Sequence, residues 1–515
     1  MKNKYIINVF AILFLVMTTG CEDFLEEDAA GLLTPDTFFQ NEDEANLALN
    51  GLHTSIGQAG LAEHMGTDAG VCGRFAIAGG WAHAVYDYDP SNAAVRNTWS
   101  GAYSTIKDAN LVLAKIEDSP LPEDVKGSTK AQALFYRAYN YLGLTTTFGD
   151  VPYWRDEIDM EEVALLGKTD ANIIQTEMIE DLEWAISSGY LSTAKWNENN
   201  SRPTVWAVRM LKAYYHIWRE EWPQAKAELI EITANSPHKL SPDYADMYRE
   251  GNELHDEIIF GREALIGIQT NGALSQAHYN ANAENEDAKA AMEETGIFAR
   301  SAAITMRKSF ADTYDDNDVR KLYNVWEEHT LENGTVAKFN YIYIPKLMRA
   351  AVPVEDPLMQ NPDPRDQSSE PRRTFTLADA FLLLAEAEFN INGSSTLAVD
   401  ALNAIRERTS LPLYTTITME DIRNERGWEL AAVGYWGRKK DLIRWGILES
   451  TITALPAVEE AAGAYQVAID RAQEEADRIS SAPVGKFQVY PIPLDDILKS
   501  QDVGGALEQN PLWVN

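Results

Sequence analysis

Hydrophobic positions recur at helical spacing through most of this chain. Leu47, Ala48 and Leu52 step along a helix expected over Asn41 to Ile56. Trp99, Tyr103, Ile106 and Asn110 fall near one face of a second, from Trp99 to Ile116. The pattern is clearest at Ala131, Leu134, Phe135, Ala138, Tyr141 and Leu142, which keep i, i+3, i+4 spacing until Gly149 and Pro152 forbid continuation. A further helix is expected from Asp170 to Ser188. Pro203 opens the next at an N1-like position, with Ala207, Met210, Leu211, Tyr214 and Trp218 as its stripe, and Gln224 to Ala234 pairs with it. The same design recurs at Leu377 to Ile391 and Thr396 to Arg408, joined by a turn at Asn392-Gly393. Small residues alternate with large aromatics where helices must approach. The fold class predicted is mainly α: degenerate tetratricopeptide-like hairpins forming a scaffold, with a loop-rich irregular region carrying the ligand site.

Two stretches break the helical rhythm. Residues 57–97 are glycine-rich and end in Trp81, Tyr86 and Tyr88. Residues 263–373 are rich in Asn, Asp and Pro, and Phe339 to Ile344 alternates as a short strand would. Loops this long inside a compact protein are usually functional. The tail from Val489 to Asn515, with YPIP and QNPLW, reads as an extended segment on the surface.

Glu425 to Gly446 carries a different signal. Thr418 caps its helix, with Asp421 completing a capping box. Arg426 and Glu429 fall in the apolar stripe of Ile422, Leu430 and Val433. A buried charge without a partner costs several kcal/mol, so the two are expected to be satisfied, most simply by each other at i, i+3, with help from elsewhere in the chain. Asp441 and Arg444 follow. Glu425 or Glu429 as a catalytic carboxylate is the sharper reading of this stretch; a structural ion-pair network of Arg426, Glu429, Asp441 and Arg444 is the plainer and preferred one.

Charge and composition narrow the function. The 515 residues carry a net charge of −35, which excludes the basic footprint that nucleic acids require. The N-terminus has Lys2 and Lys4, an apolar run from Tyr5 to Met17 and a small residue before Cys21, the pattern of a signal peptide over residues 1–20 with lipidation at Cys21. Cys72 is the only other cysteine, so no disulfide is expected once Cys21 carries lipid. No metal, cofactor or catalytic motif emerges: HExxH, CxxC, GxGxxG, a P-loop and a nucleophile elbow are all missing, and Asp315, Asp316 and Asp318 lack the rest of a calcium loop. What remains is aromatics on loops, which bury the C–H faces of sugars. Trp81, Tyr86, Tyr88 and Asn92, with Arg74 and Asp68 as hydrogen-bonding groups, form one candidate glycan-binding set. Tyr323, Trp326 and Tyr341 form another.

These pieces together resemble the SusD/RagB family of outer-membrane nutrient-binding lipoproteins. The resemblance rests on the segment after Cys21 (DFLE, then TPDTFFQNEDEA), WSGAYSTIKDAN, ALFYRAYNYLGLTTTFGDVPY, RPTVWAVRMLKAYYHI, FLLLAEAEFN, ALNAIRERT, the 425–446 stretch and the YPIP…QNP tail, all in family order. It implies a single domain over residues 21–515, anchored by lipid in the outer membrane and exposed at the cell surface. It implies no enzymatic activity, but glycan capture and delivery to a SusC-like TonB-dependent transporter. The alternative is a binding lipoprotein for peptides or another nutrient with the same partner. Against the family pattern, Val433 stands where glutamate is usual and the YWGRKK link is longer. The network is therefore expected to be one carboxylate short and the link to bulge, with Arg406 and Arg408 as partners for Glu429 and Asp441.

Overall fold

A computed structural model describes residues 39–54, 56, 63–72, 82–264, 290–291, 294, 304–348, 358 and 369–514. The scaffold is a row of antiparallel helices. Ala93–Glu117 packs on Glu123–Phe148, which packs on Ala171–Ser187; Val205–Trp218 and Trp222–Asn235 continue the row. Trp222–Asn235 then packs directly on Leu377–Asn392, followed by Thr396–Arg406 and Met419–Glu429. Residues far apart in sequence thus form neighbouring hairpins. Local chemistry sets the ends. The Asn92 carboxamide oxygen accepts from the backbone of Ala94 and Val95, so the second helix begins at Ala93, inside the stretch expected to be loop. Gly149 and Gly393 end their helices at φ of 75° and 65°, a conformation that costs glycine little. Pro203 lies outside its helix, whose N-cap is Thr204.

In the first helix, Glu42–Thr54, the buried face is Ala45, Leu49 and Leu52. Leu47, expected in that face, points to solvent at 53 % exposure, because Leu49 and Leu52 fix the buried side and Leu47 is about 200° from Leu49 around the axis.

The long insertion leaves the scaffold through β2 (Ile258–Arg262) and returns through β6 (Arg372–Thr376). These pair antiparallel, Ile258 opposite Thr376 and Arg262 opposite Arg372. Beyond this neck a second sheet forms from β1 (Gly70–Val71), β3 (Thr305–Met306), β4 (Trp326–Thr330) and β5 (Val336–Tyr343), in the order β1-β3-β5-β4. It joins the glycine-rich stretch to the insertion. The strand expected at Phe339 to Ile344 is the second half of β5. Beneath the sheet lies a separate core of Met65, Val85, Met306, Phe310, Ile342 and Ala432. A buried cluster under a long loop fixes it to the scaffold.

One element stands where the sequence raises no expectation, and another departs from its expectation. A helical hairpin, Leu448–Ala461 with Gln466–Ser481, follows the charged stretch. The C-terminal tail is core rather than surface: Tyr490, Ile492 and Trp513 are buried, a helix runs over Leu494–Asp502, and Asn510 donates from its amide to the Phe148 and Tyr490 carbonyls at 2.9 and 2.6 Å. Proline-rich spacing cannot reveal burial when an extended chain pairs by side chains. No helix among the described residues is long and apolar enough to cross a membrane.

Candidate functional site

The charged stretch holds the molecule together along two chains of alternating sign. In the first, Arg426 donates to Asp379 at 2.5 Å and to Asp441 at 2.8 Å; Arg444 donates to Asp441 at 2.9 Å and grips Glu386 with its guanidinium. In the second, Arg408 bridges Glu257 (2.7 and 2.9 Å) and Glu429 (2.5 Å), Arg320 contacts Glu429, Glu425 and Asp318, and Arg406 meets Glu425 at 2.9 Å. Burial raises the cost of the Asp441 and Glu429 charges, but the surrounding guanidiniums outweigh it and hold both carboxyls below the usual range. Arg426 is likewise held charged against burial by Asp441 and Asp379.

Arg426 and Glu429 do not pair with each other, as i, i+3 spacing suggested. Each faces a different neighbouring helix, and carboxylates from Asp379, Glu386 and Glu257 outside the stretch complete the set. Of the expected partners, Arg408 meets Glu429 and Arg406 meets Glu425, while Asp441 belongs to Arg426 and Arg444. Val433 packs against both the scaffold core and the core beneath the sheet. It joins two apolar clusters where a carboxylate would need a partner. Just before the link, Ala432 and Gly434 stand at φ of 56° and 104°, the turn that lets the chain reverse toward the next helix. Gly437 then lets that chain pass within contact of Glu63, where a Cβ would meet Glu63 atoms at 2.4–2.7 Å.

The candidate glycan-binding residues separate into different environments. Arg74 and Trp81 lie outside the described residues, as does Cys21. Asp68 is held by Arg438, at 2.9 Å from Nε and 2.7 Å from Nη2. Asn92 is the helix cap described above. Tyr86 is buried and donates its hydroxyl to the Gly66 carbonyl at 2.6 Å. Tyr88 packs on Phe487, Tyr490 and Trp513, with ring centroids 5.0–5.7 Å apart. The rings of Tyr86, Tyr88 and Tyr490 surround the Lys439 ammonium at 4.6, 5.6 and 5.2 Å. This is an aromatic cage occupied by the protein's own cation. Glu63 stands beside it, accepting from Tyr490 at 2.7 Å. Loop position made these aromatics look available, but the tail and the Arg438–Lys440 segment cover them.

The second set also divides. Tyr323 is buried in the scaffold core beside Tyr244. Trp326 is buried edge-to-face on Phe339, 4.6 Å away, within the insertion's own cluster. Tyr341 is half-buried against that cluster. Sequence spacing missed the cage, because Lys439 and Tyr490 are far from Tyr86 along the chain. Among the described residues no group of three or more His, Cys, Asp or Glu side chains is placed to hold a metal.

Residues 238–513 match the model of the SusD family, and residues 24–213 match a model described as starch-binding associating with outer membrane. The SusD-like protein P25 of Formosa agariphila is 27 % identical over 507 residues, covering 87 % of this chain and 91 % of that protein. A SusD-like protein of Bacteroides ovatus is 22 % identical, covering 67 % of this chain and 65 % of its own length. The fold matches a laminarin-binding SusD-like protein with a TM-score of 0.70 at 21 % identity, covering 92 % of this chain and 100 % of that one. It also matches surface glycan-binding protein A from Bacteroides thetaiotaomicron in complex with laminarihexaose, at 0.68 and 19 %, covering 91 % and 99 %. With more than half of its length matched by the family model, on a mainly helical scaffold of the same fold, this chain belongs to the SusD family.

Proposed function

We propose that the protein is a non-catalytic glycan-binding lipoprotein at the cell surface, which captures oligo- or polysaccharide and passes it to a SusC-like TonB-dependent transporter. Family membership carries the reading. The relatives of matching fold include proteins named for laminarin and surface glycan binding. The sheet that joins the glycine-rich stretch to the insertion supports a loop surface for the ligand. Trp81 and Tyr341 are the aromatic contacts proposed there. Tyr86, Tyr88, Tyr323 and Trp326 are packed into the protein's own cores and are left out of the proposed contacts. Glu425, Arg426, Glu429, Asp441 and Arg444 are each engaged by ion-pair partners within and outside the 425–446 stretch, which supports a structural rather than a catalytic role.

The mature chain is anchored at Cys21 in the outer membrane, with residues 1–20 removed. Affinity electrophoresis against a panel of polysaccharides, laminarin included, tests the reading. At least one should retard the protein, Trp81→Ala should weaken the retardation, and no reducing ends should be released. Co-purification with a SusC-like transporter, and loss of lipid labelling in Cys21→Ala, test the partnership and the anchor. Basic peptides are the second reading, favoured by the net charge of −35. Peptide binding without glycan binding would replace the first reading.

A further inference from the structure

A cleft of about 300 Å³ opens between the helices Glu42–Thr54 and Glu123–Phe148, on the helical scaffold rather than on the loop-rich part. Its size is at the low end of the range small-ligand sites occupy, roughly 300–1,000 Å³. Tyr190 closes one side. Gly189, at a φ of +73°, turns the chain so that Tyr190 reaches back. Its ring lies flat on Gly127, where a Cβ would meet three adjacent ring atoms at 2.4–2.5 Å. Glycine at that position seats the ring, which still leaves Tyr190 40 % exposed.

Six polar side chains, Glu42, Asn46, Asp124, Ser128, Thr129 and Gln132, line the cleft together with Ala45, Leu49 and Val125. Gln132 is 8 % exposed, donates from Nε2 to Ser128 Oγ at 3.2 Å, and leaves its Oε1 buried with no donor. A buried acceptor without a donor is costly, so a hydroxyl delivered into the cleft would be favoured.

We propose that this cleft is a separate subsite for a neutral pyranose, additional to the loop surface. A sugar ring sets its C–H face on the Tyr190 ring and its hydroxyls donate to Gln132 Oε1 and to the flanking carboxylates of Glu42 and Asp124. The carboxylates select against anionic sugars, both uronic acids and sulfate esters. They do not make a cation site, since no third carboxylate, imidazole or thiolate joins them among the described residues. The six polar side chains outnumber Tyr190, Ala45, Leu49 and Val125, so the cleft offers little to bury a peptide's apolar side chains.

The test uses the mature protein and a panel of neutral methyl glycosides at millimolar concentration, with methyl glucuronide as the anionic control. Saturation-transfer NMR reads binding, and soaked crystals read its place. At least one neutral glycoside should bind in the cleft, Tyr190→Ala should weaken it roughly tenfold, and Gln132→Leu should weaken it with Tyr190 left in place. In soaked crystals of Trp81→Ala the glycoside should still occupy the cleft, and the glucuronide should not enter it. An unchanged melting temperature in Tyr190→Ala shows that the loss is not unfolding. An empty cleft in soaked crystals, affinities untouched by Tyr190→Ala, or occupation by a metal ion or a basic peptide would overturn the proposal. Retained, Trp81-dependent polysaccharide binding with an empty cleft would refute the subsite alone. A filled cleft without polysaccharide retention would refute the loop surface alone.

Discussion

Replacing Asp441 by asparagine keeps the shape of the first ion-pair chain and removes its central charge. Asp441 is 4 % exposed and accepts from Arg426 Nε at 2.8 Å and Arg444 Nε at 2.9 Å. The variant leaves two buried guanidiniums with one partner residue each, Asp379 and Glu386. Breaking a buried pair by removing one partner costs about 3–5 kcal/mol. With an unfolding entropy near ~2 cal/mol/K per residue, a chain of 515 residues has about 1 kcal/mol/K if it unfolds as one unit. The melting temperature should therefore fall by about 3–5 °C at pH 7 in scanning calorimetry. The exposed pair Arg96–Asp495, 3.3 Å apart with side chains 43 % and 55 % exposed, supplies the control. Asp495→Asn should shift the midpoint by less than about 1 °C. The sign with pH is fixed too. Asp441 has its folded pKa lowered from 3.8, so its contribution is full above the unfolded value and is lost as pH falls through the folded one. The gap between wild type and Asp441→Asn should narrow only in strong acid. A shift below 1 °C at pH 7, or a gap that widens on acidification, would refute a stabilising role for the Asp441 ion-pair chain. Lost glycan affinity in a variant that stays folded would instead place the stretch in the binding machinery.

Two further stability predictions follow from the segment beside it. Burial pulls Lys440 down to about 8, with Glu63 opposing and Lys439 assisting the shift. Between pH 8 and 10.5 the unfolded chain holds this proton and the folded chain does not, so stability should rise with pH across that window by up to about 3 kcal/mol. Denaturant titrations of wild type and Lys440→Met should differ in that slope, and equal slopes would sink the assignment. Gly437→Ala should cost roughly 1–3 kcal/mol through overpacking against Glu63. A neutral outcome in urea denaturation would mean that the 434–440 link can withdraw.

The chain by itself determined the helices of the scaffold, since periodic burial and capping are local. Ala131 to Leu142 and the Thr418–Asp421 capping box both stand where their spacing placed them. The amino acids of the 425–446 stretch also announced buried charge, because arginines and carboxylates at apolar spacing admit few other meanings. Only the tertiary structure decided who pairs with whom. Arg426 reaches Asp379, 47 residues away, rather than its neighbour Glu429, because one helix presents successive residues to different partners. The same holds for the aromatics. Tyr86 and Tyr88 sit in a loop by sequence, yet the tail at Tyr490 and Trp513 and the cation of Lys439 enclose them. Exposure belongs to the whole packed chain, whereas spacing reports only one element. The Tyr190 cleft rests on the same ground: a glycine in one helix and a tyrosine after another become a platform only when the fold lays one upon the other.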